Sequence, residues 1–177
     1  SSEQPHSFYG FSKYLGECEI LRGKEEGLSV VMVNPGIVLG YGDWKKGSNQ
    51  LFKNAFKQFY FFSRGVTGFV GVKDVAKVME KLCLSRANGE RFILVSDNKT
   101  FESIAKTMAD EFKNRKPFIE VKGFLYHIIY FVISLMEFLG INGMLSRETV
   151  KASISKNQFS NEKVCDYLNF EFESMDS

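Results

Sequence analysis

Apolar positions near the start of the chain change from a helical to a strand period. Between Phe8 and Gly23, apolar residues recur every three or four positions on two stripes, which is typical of a helix packed on two sides. The run from Leu28 to Val33 is short, apolar and rich in β-branched residues, which indicates a strand buried on both faces. A helix leading directly into such a strand predicts an α/β fold with a parallel sheet.

The rest of the chain carries similar signals. Ser48 is expected to cap a helix that runs to about Tyr60, and Thr100 to cap a second helix. Strands are predicted at Arg91–Val95 and Phe118–Val121. Further helices are predicted after Ser146 and from Ser160 to a stop at Asn169.

The run from Phe124 to Ile141 is almost entirely apolar. A membrane-spanning helix needs about 20 apolar residues, and charge raises its insertion cost, so a true span is the least favoured interpretation. A helix that is apolar on most sides can instead be core or lid, or can lie on a membrane surface. The core or lid interpretation is favoured and the membrane surface is kept as an alternative.

Composition narrows the class of protein. The chain has 177 residues, of which 44% are hydrophobic and 25% charged, as expected for one globular domain. A net charge of +2 does not favour a nucleic-acid partner. Three cysteines and two histidines are scattered without the spacing of metal ligands, so no metal site is expected. The same cysteine usage predicts a reducing, cytoplasmic location.

Tyr9 and Lys13 are the first candidates for chemistry. Four residues apart on a helix, they share one face about one turn apart. A free phenol has a pKa of about 10, and a neighbouring ammonium favours the phenolate, so such a pair suits proton transfer near neutral pH. The same spacing also occurs by chance on many amphipathic helices.

The turn at Pro35 and Gly36 is the second candidate. It follows the predicted strand, and ligands of open α/β sheets gather at the carboxyl ends of strands. Proline restricts φ, and glycine lets a backbone come close to a ligand. An ordinary strand-to-loop turn is the competing interpretation.

An ordered series of motifs closely resembles the extended short-chain dehydrogenase/reductases, which include NAD-dependent epimerases, dehydratases and dihydroflavonol-reductase-like enzymes. The motifs are Tyr9-Gly-Phe-Ser-Lys13, Asn34-Pro35-Gly36, Gly40 with Gly42-Asp43, Phe69-Val70-Gly71-Val72-Lys73-Asp74-Val75-Ala76, Gly89-Glu90-Arg91-Phe92, Leu145-Ser146-Arg147-Glu148-Thr149 and Phe159-Ser160-Asn161-Glu162-Lys163. The resemblance spans nearly the whole chain.

The resemblance implies roles for individual residues. Tyr9 would be the general acid/base, and Lys13 would assist it and bind the nicotinamide ribose of NAD or NADP. Pro35, Gly36, Ile37 and Val38 would line the nicotinamide. Trp44 and Asn49 would border the substrate, expected to be a nucleotide sugar or a flavonoid- or sterol-like molecule, and a surface or core role for the two residues is the alternative.

The resemblance also implies an architecture. The chain matches the C-terminal part of such enzymes, without the N-terminal dinucleotide-binding half, so a fragment that is inactive by itself is expected. Residues 1–95 would complete a partial Rossmann-type parallel sheet, with an insertion at about 41–68, and residues 96–177 would form a small, mostly helical substrate-binding lobe. The Tyr-Lys helix would form a homodimer interface. A non-catalytic binding or dimerisation module is the alternative.

Gly65, Gly68 and Gly71 match a dinucleotide-binding glycine fingerprint. No clean buried strand enters this turn, and Phe69, Val70 and Val72 themselves have strand character. A strand that leads into an Asp-Val-Ala helix is therefore predicted instead.

Overall fold

The computed structural model describes residues 8–139 and 147–175. The first helix, α1, spans Phe8–Glu25, and the first strand, β1, spans Val31–Pro35. The turn between them includes Gly27 with φ of 100°, a conformation that favours glycine. The helix and strand predicted at the start of the chain are therefore confirmed.

Within the described residues, seven strands form three small sheets. After β1 come β2 (Ile37–Leu39), β3 (Phe61–Phe62), β4 (Val66–Gly71), β5 (Glu90–Leu94), β6 (Asp97–Thr100) and β7 (Ile119–Glu120). β1 pairs in parallel with β5, β2 with β4, and β3 with β7, whereas β6 pairs antiparallel with β4. The parallel α/β class is confirmed, and β6 is an addition that the sequence patterns did not indicate.

Six helices follow α1 in the described ranges: α2 (Gln50–Phe56), α3 (Val72–Cys83), α4 (Phe101–Glu111), α5 (Gly123–Phe138), α6 (Arg147–Ile154) and α7 (Glu162–Leu168). Thr100 caps α4 as predicted, because its side chain accepts a 3.0 Å hydrogen bond from the Ser103 amide. Asn169 ends α7 in the left-handed conformation, also as predicted. The predicted start at Ser146 lies outside the described residues.

Buried side chains form two clusters. The sheet core lies between β1, β5, α3 and α7 and comprises Val78, Leu82, Ala87, Phe92, Leu94 and Val164. The α4 core comprises Phe69, Ile104 and Met108, with partly buried side chains of α2 around it. The sheet core includes residues of β5 and the α4 core includes Phe69 of β4, so each cluster is supported by a different small sheet.

Two local predictions need correction. The strand predicted at Leu28–Val33 begins at Val31 and continues through Pro35, where pairing with Leu94 of β5 extends it. The helix predicted to reach Tyr60 ends at Phe56, and the Ser48 side chain does not cap it, because its hydroxyl donates to the Val38 carbonyl instead. Pairing with β5 sets the end of the strand, and the hydrogen bond to Val38 takes the Ser48 hydroxyl away from the start of the helix.

The glycine series is part of a strand and its approach, as predicted. A Cβ on Gly65 would lie 2.1 Å from the Ser153 carbonyl oxygen, and one on Gly68 would lie 2.4 Å from Val95. These glycines therefore admit neighbouring parts of the protein. The helix that follows, α3, is the predicted Asp-Val-Ala helix.

The long apolar run forms α5, which is covered on one side only. Ile133 is buried, whereas Phe124, Phe131 and Phe138 are 81%, 68% and 86% exposed. None of the described helices is both long and apolar enough to cross a membrane. The core interpretation therefore applies to one side of α5, and the end of the run, from residue 140, lies outside the described residues.

Candidate active site

Glu17 fixes the position of α1 against the sheet. Its carboxylate accepts a 2.7 Å hydrogen bond from the Asn34 amide of β1 and pairs with the Arg91 guanidinium of β5 at 2.8 Å. Near the other end of α1, the Lys24 ammonium lies against Gly89, just before β5 begins. The helix therefore runs antiparallel to β1 and β5, with its N-terminal end toward their carboxyl ends.

This register places Tyr9 and Lys13 beyond the strands. They precede Glu17 by eight and four residues, so the helical rise of 1.5 Å per residue puts them about 12 and 6 Å further toward the carboxyl edge. The Lys13 ammonium lies 5.7 Å from the centre of the Tyr9 ring, within cation–π range. The structure thus brings the predicted pair together, and Tyr9 is 68% exposed.

The Pro35-Gly36 turn is shaped by the protein itself. A Cβ on Gly36 would lie 2.4 Å from the Gly68 carbonyl oxygen, and the Gly36 amide donates to the Leu94 carbonyl at 3.0 Å. Glycine is therefore required here for packing between strands, whether or not a ligand approaches. Ile37 and Val38 belong to β2, paired with Phe69 and Val70, and the ligand roles of all four turn residues stay predictions.

Asn34 offers an unused acceptor next to this turn. Its amide nitrogen is bonded to Glu17, but its side-chain oxygen is buried and has no hydrogen-bond donor among the described residues. Such orphaned acceptors are rare in folded proteins. A carboxamide, as on nicotinamide, carries two N–H donors, so the unpaired acceptor beside Pro35 fits that group.

Trp44 and Asn49 pack locally. The Trp44 ring stacks on Phe52 at 6.3 Å and meets Phe112 edge-on at 5.7 Å, so it is part of an aromatic cluster. The Asn49 amide lies so close to Gly42 that a Cβ there would be 2.5 Å away. Their proposed contact with substrate stays a prediction.

Two sizeable cavities, each partly open to solvent, lie among the described residues. The tail cavity, about 410 Å³, lies between the segment after β2, the start of α3, α4 and residues 173–175. The lobe cavity, about 380 Å³, lies among α2, α4, α5 and α6 and the segment 59–63. Tyr9, Lys13, Trp44, Asn49 and residues 35–38 do not line either cavity.

Sequence reasoning missed two features of this region. Glu17 lies one turn after Lys13 on the same stripe, a signal that the sequence contains, but its partners Asn34 and Arg91 are distant in the chain. The second feature is that the aromatic segment Phe59–Phe62 borders the lobe cavity. An excess of phenylalanine in the sequence is equally compatible with a filled core, so it did not predict a cavity.

Comparison with known proteins identifies the fold. No family model matches the sequence, and no curated protein matches it significantly. Among the similar solved structures is gox2253, which has 25% sequence identity and a TM-score of 0.75, with 98% of this chain and 54% of that chain covered. A nucleoside-diphosphate-sugar epimerase from Pseudomonas aeruginosa has 17% identity and a TM-score of 0.76, with 99% of this chain and 54% of that chain covered. A dTDP-glucose 4,6-dehydratase from Bacillus anthracis in complex with NAD has 15% identity and a TM-score of 0.64, with 97% of this chain and 49% of that chain covered.

These matches define the class of fold. The chain has a partial Rossmann-type fold and spans about half the length of the matching structures. Sugar epimerases and dehydratases are among them, as are complexes with NAD and with NADPH. The resemblance to part of an extended short-chain dehydrogenase/reductase is therefore confirmed for the fold.

Proposed function

We propose that this chain carries half of the active site of an NAD(P)-dependent oxidoreductase, epimerase or dehydratase acting on a hydroxyl or carbonyl group of a small organic molecule. The observation that carries the proposal is the Tyr9–Lys13 pair, held toward the carboxyl edge of the sheet by the contacts of Glu17 with Asn34 and Arg91. That edge is where open α/β sheets bind ligands.

Each residue then has a defined task. The Tyr9 phenol gives a proton to, or takes one from, the substrate oxygen, and the Lys13 ammonium stabilises the phenolate. Residues 35–38 border the nicotinamide, and the free oxygen of Asn34 accepts from its carboxamide. The dinucleotide, when bound, supplies the hydride chemistry.

The test compares two tyrosines of the same helix in the full-length protein. Tyr9→Phe is expected to lower kcat by about 10²–10⁴-fold while NAD or NADP binding is unchanged, because only the transferable proton is lost. Tyr14→Phe, a matched removal of an exposed hydroxyl, should leave kcat unchanged. Activity retained in Tyr9→Phe would refute the role of Tyr9.

A non-catalytic binding module is the second candidate, since Tyr9 is exposed and lines neither cavity. An intact Tyr9–Lys13 pair supports the enzyme instead. Titration of the full-length protein with NADH and NADPH, followed by nicotinamide fluorescence, separates the two. The enzyme is expected to bind NADH or NADPH, whereas the non-catalytic module is expected to bind neither.

We further propose a homodimer through α1, supported by its exposed apolar side chains, among them Phe11, Leu15 and Ile20 at 43–48% exposure. Buried against a second copy, they would leave water, which favours association. Leu15→Glu should shift the full-length protein from dimer to monomer in light scattering, whereas Glu19→Gln should not.

A further inference from the structure

The lobe cavity has walls that suit a hydrocarbon. Most of its lining is apolar, and the aromatic part comes from Phe59, Phe61, Phe62 and Phe101. Its volume of about 380 Å³ falls within the range of about 300–1,000 Å³ usual for small-molecule sites. Burial of an apolar chain there would be favoured by the removal of apolar surface from water.

Among the described residues that line the cavity, Arg115 is the one that carries a charge. Two other cations in this part of the chain have carboxylate partners: Lys116 pairs with Asp110 at 2.8 Å, and Lys122 with Glu120 at 2.7 Å. Arg115 has no ion pair or hydrogen bond with any other residue of 8–139 and 147–175. Its guanidinium is therefore available to a carboxylate, which it can bind in a bidentate manner.

The lining also includes the hydroxyl of one buried residue. Ser63 is 6% exposed, and its side chain has no hydrogen-bond partner within the part of the chain that the structure describes. It offers a neutral hydrogen-bonding group in addition to Arg115.

We propose that the lobe cavity binds a fatty-acid-like monocarboxylate, with its hydrocarbon chain among the phenylalanines and its carboxylate at Arg115. One cation matches one negative charge, and the apolar walls match the chain. A nucleoside diphosphate fits poorly, because its several charges and polar sugar would be buried without partners. This site is separate from the Tyr9–Lys13 pair and does not depend on the proposed reaction.

The experiment measures binding of decanoate and decan-1-ol to the full chain by displacement of a fluorescent fatty acid. UDP is tested in the same way, as a representative nucleoside diphosphate. We expect decanoate to displace the probe and UDP not to. Arg115→Gln should weaken decanoate binding about tenfold or more through loss of the charged hydrogen bonds, and leave decan-1-ol unchanged. Arg86→Gln, an exposed arginine outside both cavities, is the matched control.

A second variant tests the walls. Ala105 lines the cavity, so the larger side chain of Ala105→Phe should occupy the space and abolish binding of both ligands. Circular dichroism establishes whether each variant is folded. If Ala105→Phe does not fold, the comparison of Arg115→Gln with the wild type tests the proposal by itself. UDP binding in preference to decanoate, or equal decanoate affinity in the wild type and Arg115→Gln, would overturn the proposal.

Discussion

The two buried clusters of this protein differ in what surrounds them. None of the six buried residues of the sheet core lines either the tail cavity or the lobe cavity, whereas Ile104 and Met108 of the α4 core line both. The sheet core is closed between two strands and two helices. The α4 core is a thin wall between two spaces, so it combines support with the shaping of ligand sites.

This difference indicates which residues should affect stability alone and which should also affect ligand binding. A side chain in a close-packed core makes contacts on all sides, and its removal leaves a void. A side chain beside an existing cavity has fewer contacts to lose. Truncation should therefore cost most in the sheet core, and change ligand binding only around α4.

The largest effect is expected for Leu82→Ala. Leu82 is 1% exposed in the sheet core, so we expect the free energy of unfolding to fall by about 4 kcal/mol. Leu84→Ala, two residues away and 83% exposed, should change it by less than about 0.5 kcal/mol. Urea denaturation measures both, and similar losses would show that the sheet core is not the main source of stability.

Met108→Ala should cost less, about 2 kcal/mol, because Met108 already borders empty space on two sides. It should also change the affinity for decanoate, which Leu82→Ala should not. Urea denaturation combined with probe displacement makes the comparison. A loss as large as that of Leu82→Ala would remove the distinction between the two clusters.

Thr100→Ala tests how α4 is held at its start. The Thr100 hydroxyl accepts from the Ser103 amide, and loss of such a cap costs about 1 kcal/mol. Thr100→Ser keeps the hydroxyl and should be close to wild type in urea denaturation. If both variants lose the same stability, the cap is not what stabilises this end of the helix.

Acid pH should give the smallest effect, with one contribution from each region. A hydrogen bond from Lys163 lowers the pKa of Glu90 beside the sheet core, and one from Lys122 lowers the pKa of Glu120 near the lobe cavity. Because both pKa values are lower in the folded state, these pairs stabilise the protein above the ordinary glutamate pKa, about 4.3. Their contribution is lost as pH falls through the lowered values.

Lys163→Met and Lys122→Met should therefore each make the free energy of unfolding less dependent on pH in this acid range. Denaturant titrations at a series of pH values measure the slope. Lys81→Met, which removes a lysine that has no carboxylate partner among the ion pairs of the described residues, is the control. An unchanged slope in both variants would show that neither pair matters for stability.

Much of the fold could be predicted because its signals are local. The helical stripe of α1, the Asp-Val-Ala helix α3, the cap at Thr100 and the stop at Asn169 depend on residues within a few positions of one another. The short antiparallel strand β6 was missed, since its residues, Asp97–Thr100, lack strand periodicity and pair only because β4 lies beside them.

The candidate site also has one part that could be predicted from local spacing and one part that could not. The closeness of Tyr9 and Lys13 follows from helix geometry and could be read from four-residue spacing. Glycine at position 36 was expected for the approach of a ligand, whereas the structure shows the Gly68 carbonyl occupying the space where a side chain would be. A pattern indicates that room is needed but not what fills it.

The sequence by itself determined the α/β class, the order of the main helices and strands, and the Tyr9–Lys13 pair, because each depends on periodicity or spacing along one element. Only the tertiary structure decided the register of α1 through Glu17, the reason for Gly36 and the lobe cavity with the free cation of Arg115. These features join residues far apart in the chain, and their distances are set by packing that no local pattern records.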